Sequence, residues 1–245
     1  MPEPRDPAPD DGEAPVLVLC AMDEEAAAFL PADSAQAPTP LPCPLAGVEA
    51  HRTRLSGRAV VVVRSGIGLA SAAAAASWAI CALRPRLVVS AGTAGGLDRQ
   101  IEAGDVAIGE SYSYGAADAS EFGYVRGQVP GQPPRFTADP GLLAAARAAR
   151  APAASALRFG RILSSDAFVT ARNVADTREA FPDAVATDME SCAIAQTARA
   201  FGIGFLSVRG ISDLCGPEAG RDFHVALDVA AARSRETVEA VLAAL

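Results

Sequence analysis

Residues 87–96 read LVVSAGTAGG. Leu87–Ser90 is a short apolar run of the kind that fills a buried strand. It ends in Ala91-Gly92-Thr93-Ala94-Gly95-Gly96, whose small residues predict a flexible turn. Upstream, small apolar residues dominate Gly68–Leu83, which predicts a buried helix packed closely on a sheet. Residues 48–64 carry two strands, the second of them, Ala59–Arg64, nearly pure valine. Val16–Cys20 is a further buried strand. Ala21–Leu30 is a short helix opening with Asp23, Glu24 and Glu25, where the helix dipole favours negative charge. Pro31–Pro44 is read as a loop. Downstream, strands are expected at Val106–Ser113, Phe159–Ser164, Ala184–Thr187 and Phe205–Arg209. Helices are expected at Leu142–Ala149, Glu190–Ala200 and from about Val225 to Leu245, with a long irregular segment at 114–137. Strands alternate with helices throughout, the pattern of an α/β layered fold with a largely parallel or mixed sheet. No repeat and no internal linker interrupts it. Residues 14–245 are therefore read as one domain behind a flexible tail, 1–13, which holds four prolines and five acids without a large hydrophobe.

The chain has 245 residues, half of them hydrophobic. A chain of this length buries roughly 70–75% of its extended surface, so neither a metal nor a disulfide is needed to close the fold. There are 29 acidic against 21 basic residues, for a net charge of -8. That balance argues against nucleic-acid and membrane partners, because phosphate surfaces want a basic face. All the basic residues are arginine, which excludes chemistry that requires a lysine. Five scattered cysteines and two histidines, His51 and His224, show no metal spacing, so no metal or other cofactor is expected. Cys20, Cys81 and Cys192 lie in apolar stretches and are read as core residues. The chain start lacks a basic segment followed by an apolar run. No apolar stretch reaches the ~20 residues of a membrane span either, and the expectation is a soluble cytoplasmic protein.

In folds of this class ligands sit at the carboxyl ends of strands. The residues just past the expected strands are Met22-Asp23-Glu24-Glu25, Ser65-Gly66-Ile67-Gly68, Gly92-Thr93-Ala94-Gly95-Gly96, Asp166-Ala167-Phe168, Asp188-Met189-Glu190 and Ser212-Asp213. Each has a plain structural explanation when taken alone. Glu25 fits an acidic first helical turn, and the glycine loops match neither a dinucleotide nor a phosphate-loop pattern. Asp188 serves equally as a helix cap, and Asp213 near Arg209 equally as half of a salt bridge.

Their order along the chain is more specific. Together with Phe122-Gly123-Tyr124, Gly127-Gln128-Val129-Pro130-Gly131, Ser164-Ser165-Asp166-Ala167-Phe168 and Arg209-Gly210-Ile211-Ser212-Asp213, the series resembles the bacterial 5′-methylthioadenosine/S-adenosylhomocysteine nucleosidases of the purine nucleoside phosphorylase superfamily. The resemblance spans about residues 15–244. It implies a three-layer α/β sandwich, with a mixed central sheet flanked by helices, that hydrolyses the bond between adenine and ribose. Asp213 matches the general acid serving purine N7, and enclosure by apolar residues favours its neutral form. Glu25 matches the residue that orients and deprotonates water, with Arg209 and Thr93 helping to hold that water. An acid on the base side and a base on the sugar side is the logic of an inverting glycosidase.

The remaining assignments also come from the resemblance. Glu190 matches the acceptor for the vicinal ribose hydroxyls. Met189 covers the sugar, Phe168 stacks on adenine, and the backbone of Val169 reads the purine edge. Asp188 and Ser212 fall in the same binding blocks, whereas Asp166 receives no role. Met22, Ile67 and Phe223 match the slot for the 5′-thio group. Phe122, Tyr124 and Pro130 match residues donated by a second subunit, which implies a homodimer.

Three departures stand out: Asp188 where some relatives carry Glu, Gly216 where some carry a second acid, and Gly115-Ala116 in place of a His-Asp pair. A phosphate-dependent phosphorylase is disfavoured because an ionised Glu25 would repel phosphate. A 6-amino-6-deoxyfutalosine nucleosidase would need the same site and differs in the 5′ group alone, as does 5′-deoxyadenosine as a substrate. A non-catalytic nucleoside sensor would have lost Glu25 or Asp213, and both are present.

Overall fold

The computed structural model describes residues 14–30, 37–216 and 219–245, without the side chains of 219–226. The tail read at 1–13 lies outside the described residues, as does the side chain of Phe223.

The strand β1 (Val16–Cys20) is apolar and buried on both faces, which suits a central parallel strand. Helix α1 (Asp23–Phe29) follows directly. The edge strand β2 (Thr39–Leu41) pairs antiparallel with β3 (Glu49–Leu55), and β3 with β4 (Arg58–Arg64). Pro40 sits on that edge, where a missing amide costs no ladder bond. Helix α2 (Leu69–Leu83) buries Ala72, Ala75, Ala76, Ala79 and Ile80, a stripe of mostly small side chains that lets it pack close to its neighbours.

The second half carries β5 (Leu87–Gly96), β6 (Val106–Tyr114), β7 (Phe136–Thr137), α3 (Pro140–Ala148), β8 (Leu157–Ser164), α4 (Val174–Ala180), β9 (Ala184–Asp188), α5 (Ser191–Ala200), β10 (Gly204–Asp213) and α6 (Ala219–Ala243). The sheet is mixed. Strand β5 pairs parallel with β1 through Leu87–Ser90, and parallel with β10 along its whole length. Its last two residues pair antiparallel with β9. Because β10 also pairs with β6, β6 with β8 and β8 with β9, this half of the sheet closes on itself. Strand β5 thus exchanges β1 for β9 along one side, and among the described residues Ala91–Ala94 has no strand neighbour there.

Neighbouring residues of β10 show the two covered faces. Arg209 reaches Ser191 at the start of α5, while a Cβ at Gly210 would fall 2.0 Å from the Ala230 carbonyl oxygen of α6. Helices α1 and α3 pack with α6, and α2 packs with α5, so helices flank the sheet on both sides. The result is the expected three-layer arrangement. Among the described residues no helix is long and apolar enough to cross a membrane.

Several local expectations are overturned. Residues 91–96 are strand, not a flexible turn. Glycine there marks close approach: a Cβ on Gly92 would lie 2.4 Å from Glu25 Oε1. Strand β10 runs on to Asp213, the irregular segment contains β7, and the proline-rich loop contains β2. Helix α4 has no strong apolar period and was not anticipated. Cys81 is exposed, whereas Cys20 and Cys192 are buried.

Candidate active site

The exchange of partners along β5 positions Glu25. Where β1 ends, the amides of Ala21 and Met22 have no further strand to pair with, and the Thr93 amide faces the same gap. Glu25 stands in the first turn of α1 and reaches back into this space. Its Oε2 accepts from Ala21 N (2.8 Å) and Met22 N (3.2 Å). Its Oε1 accepts from Thr93 N (2.7 Å) and Thr93 Oγ1 (2.9 Å). The bond to Met22 is the reciprocal half of a capping box. With every partner a donor and 1% exposure, the carboxylate is fixed in place.

A second acidic group forms at the β9–α5 junction. Asp188 is the last residue of β9 and caps α5, accepting from the amides of Glu190 and Ser191, each at 3.2 Å. It also accepts from the hydroxyls of Ser164 and Ser191. The Arg209 guanidinium pairs with Asp188 at 2.9 Å and with Glu190 at 3.5 Å, and donates to Ser90 Oγ at 2.6 Å. Its Nη1 is buried with no hydrogen-bond partner among the described residues. Glu190 accepts from Gly68 N at 3.1 Å. Burial pushes the Glu190 carboxyl up to about 7; the Asp188 and Glu25 carboxylates add to that shift, while Arg209 and the Gly68 amide oppose it.

Asp213 ends β10 and is 2% exposed. Ser212 Oγ donates to its Oδ2 at 3.0 Å, and the Cys215 amide to its Oδ1 at 2.9 Å. Burial pushes the neighbouring Cys215 thiol up to about 12, which leaves it protonated and unreactive at neutral pH.

These groups face one cavity of ≈ 180 Å³. Met22, Glu25, Ile67, Thr93, Phe168, Val169, Asp188, Met189, Glu190, Ser212 and Asp213 line it, eleven positions singled out in the sequence. Arg209 does not line the cavity. It lies behind Asp188 and Glu190, where its Nε and Nη2 are engaged by those carboxylates and by Ser90 and Ser191. Phe122, Tyr124 and Pro130 are also absent from the wall, with Phe122 83% exposed on the surface. Sequence reasoning gave no individual role to Ala94, Gly95 and Ala167, which lie inside the strand-end blocks, and missed Ala21, Thr187 and Cys215. Each adjoins a recognised block, and small or backbone-contributing residues carry no chemical signature of their own. The wall holds four acids, and no basic residue lines it among the described residues.

A family model described as the Phosphorylase superfamily matches residues 15–243. A 5′-methylthioadenosine/S-adenosylhomocysteine nucleosidase of Staphylococcus saprophyticus is 36% identical over 199 residues, 81% of this chain and 87% of that protein. The solved structure of the nucleosidase of that name from Neisseria meningitidis, in complex with methylthio-immucillin-A, aligns with a TM-score of 0.88 at 34% identity. It covers 95% of this chain and 100% of its own. That from Colwellia psychrerythraea, in complex with adenine, aligns with a TM-score of 0.89 at 31% identity, covering 95% and 96%.

Proposed function

The chain belongs to the phosphorylase superfamily, and on that premise we propose that it is a nucleosidase. In this reading it hydrolyses the N-glycosidic bond of 5′-methylthioadenosine and S-adenosylhomocysteine, releasing adenine. The observation that carries the reading is the charge of the cavity wall. Glu25, Asp188, Glu190 and Asp213 line it with no arginine among the described lining residues, so the described wall offers a phosphate dianion no counter-charge, whereas neutral water needs none.

Cleavage leaves positive charge on the ribosyl carbon and negative charge on the departing purine. Asp213, steadied by Ser212 and the Cys215 amide, gives its proton to purine N7. Glu25 takes a proton from water on the opposite side of the sugar. Of its four donors, the Thr93 hydroxyl alone can turn about a single bond, and it can yield its place to that water. Water attacks as the base departs, and the anomeric configuration inverts. Glu190 accepts from the ribose hydroxyls, and Arg209 acts through Glu190 and Asp188 from behind the wall. Phe168 stacks on adenine, with the Val169 backbone at its edge and Met189 over the sugar. Met22 and Ile67 enclose the 5′ substituent.

We take the protein to work as a homodimer in the cytoplasm, with Phe122, Tyr124 and Pro130 reaching the 5′ slot of the partner subunit. The 83% exposure of Phe122 in one chain supports this, since burying it against a second copy removes apolar surface from water.

The test is adenine release by the purified protein, with and without phosphate, from methylthioadenosine, adenosylhomocysteine, 5′-deoxyadenosine and aminodeoxyfutalosine. We expect release from the two thio-nucleosides that is indifferent to phosphate. Strict dependence on phosphate, with ribose 1-phosphate as product, would replace hydrolysis by phosphorolysis. Turnover of aminodeoxyfutalosine far above the thio-nucleosides would move the substrate assignment.

A further inference from the structure

Asp166 has no place in the chemistry above and does not line the cavity. It stands in the loop after β8, two residues before Phe168. Its Oδ1 nevertheless accepts from the amide of Leu69 at 2.8 Å, in the first turn of α2. The preceding amide, Gly68 N, donates to Glu190 at 3.1 Å. Two consecutive amides at the start of one helix are therefore held by carboxylates from two different segments. First-turn amides have no partner within their own helix, and α2 has no side-chain cap of its own because its N-cap residue is Gly68. The fit is close, since a Cβ on Gly68 would lie 3.0 Å from Asp166 Oδ1. On the other side of the contact, Ser165 Oγ accepts from Ala167 N at 3.0 Å and keeps the loop tight.

Ile67 immediately precedes the pinned amides and is 53% exposed; Phe168 follows the pinning carboxylate and is 48% exposed. Both line the cavity. The bond from Leu69 to Asp166 thus joins the segment that would hold the 5′ substituent to the segment that would hold the base. We propose that Asp166 is a positioning residue that fixes the spacing of Ile67 and Phe168, so that a nucleoside is gripped at both ends at once. The inference rests on the nucleosidase reading for what occupies the cavity. Glu25 and Asp213 are anchored independently, by Ala21, Met22, Thr93, Ser212 and Cys215. Loss of the tether therefore loosens binding of a ligand that spans both segments and leaves the acid and the base in place.

The experiment compares Asp166→Ala and Asp166→Asn with the wild type. Asp166→Ala should raise KM for methylthioadenosine about fivefold, the equivalent of one helix-start hydrogen bond, with kcat within about twofold. The inhibition constant of adenine, which reaches one end only, should hardly change. Asp166→Asn keeps an acceptor oxygen and should restore most of the affinity. Hydrogen exchange at the Leu69 amide should quicken in the alanine variant and in the absence of any ligand. An unchanged KM, an equal loss of adenine affinity, an asparagine variant no better than alanine, or unaltered exchange at Leu69 would each overturn the proposal. A purely structural residue would instead lower kcat and thermal stability together. If the wild type released no adenine at all, the nucleosidase reading would fall, while the exchange measurement would still decide whether the tether exists.

Discussion

Gly92 is the position at which the proposed catalytic base is most sensitive to a change outside the chemistry. An alanine Cβ at 92 would stand 2.4 Å from Glu25 Oε1, 2.5 Å from its carboxyl carbon and 2.8 Å from Oε2. Non-bonded heavy atoms settle about 3.5 Å apart, so the carboxylate must retreat by about 1 Å. Gly92 also has φ +155, a backbone conformation that side chains resist. A retreat of that size stretches the 2.7 and 2.9 Å bonds from Thr93 past hydrogen-bonding range. Overpacking costs about 1–3 kcal/mol of stability, and a misplacement of about 1 Å at a reacting group costs on the order of 10²-fold in rate. We expect Gly92→Ala to keep nucleoside affinity within a few-fold, to lower the melting temperature by several degrees, and to lower kcat about 10²-fold, or about 2.7 kcal/mol in barrier. Single-turnover adenine release, normalised to folded protein by a binding titration, separates rate from stability. A folded variant turning over at the wild-type rate would mean that Glu25 does not act from the position it occupies.

Asp213→Asn removes the proposed proton donor with little change of shape. Adenine release should fall 10²–10⁴-fold while titration calorimetry still detects nucleoside binding; near-normal turnover would remove Asp213 from the acid role. Glu25→Gln should be similarly slow but folded, because the amide oxygen replaces one acceptor; a large loss of helix signal would show that the charge is structural. The Glu190 carboxyl lies at about 7 rather than 4.5, because it is buried. Its ionised form is the better acceptor for a diol, so kcat/KM should climb as pH rises from 5 and level above about 7, and Glu190→Gln should flatten that limb. The linkage to stability has the opposite sign. Between 4.5 and about 7 the folded chain holds more protons than the unfolded one, so this group's stabilising contribution is present below 4.5 and is lost as pH rises through about 7; thermal melts of wild type and Glu190→Gln at pH 5 and 8 would expose the difference, and parallel curves would contradict it. Phe122→Asp should shift the protein from dimer to monomer by light scattering, with a higher KM for methylthioadenosine, whereas an unchanged dimer would place the contact elsewhere.

Runs of apolar or small residues made β1, β4 and α2 legible, because each has one dominant environment. Val16–Cys20 and Val60–Val63 are apolar and buried on both faces. Where small residues serve a neighbour rather than the chain's own conformation, the reading failed. Ala91–Gly96 resembles a turn in composition, yet it is strand with Glu25 pressed against it. Cys81 looks apolar in context, but Ala72, Ala75, Ala76, Ala79 and Ile80 define the buried stripe of α2, and position 81 falls off that stripe. The candidate site was legible as an ordered set of blocks at strand ends. What the blocks did not disclose is division of labour. Asp188 and Arg209 read as site residues, whereas Arg209 is spent on Asp188 and Glu190 behind the wall. Asp166 was read as part of a strand-end block but without a role, and its partner Leu69 lies 97 residues away.

The location of the proposed base follows from the sheet. A parallel strand that keeps both neighbours to its end leaves no backbone amide for a side chain to satisfy. Strand β5 loses β1 after Ser90 and gains β9 at Gly95, so the Thr93 amide opens onto a gap that β1 also borders through Ala21 and Met22. Buried amides need acceptors, and one carboxylate from the first turn of α1 serves three of them. The same group that repairs the sheet is thereby presented at the edge of the cavity, held from one side by the strands and open on the other to whatever the cavity admits. Asp213 arises in a parallel way, at the end of the neighbouring strand, with Ser212 and the Cys215 amide as its donors. Placing the proposed base and the proposed acid on the wall of one cavity therefore requires no mobile loop. It requires two adjacent strands, one of which changes its partner partway along.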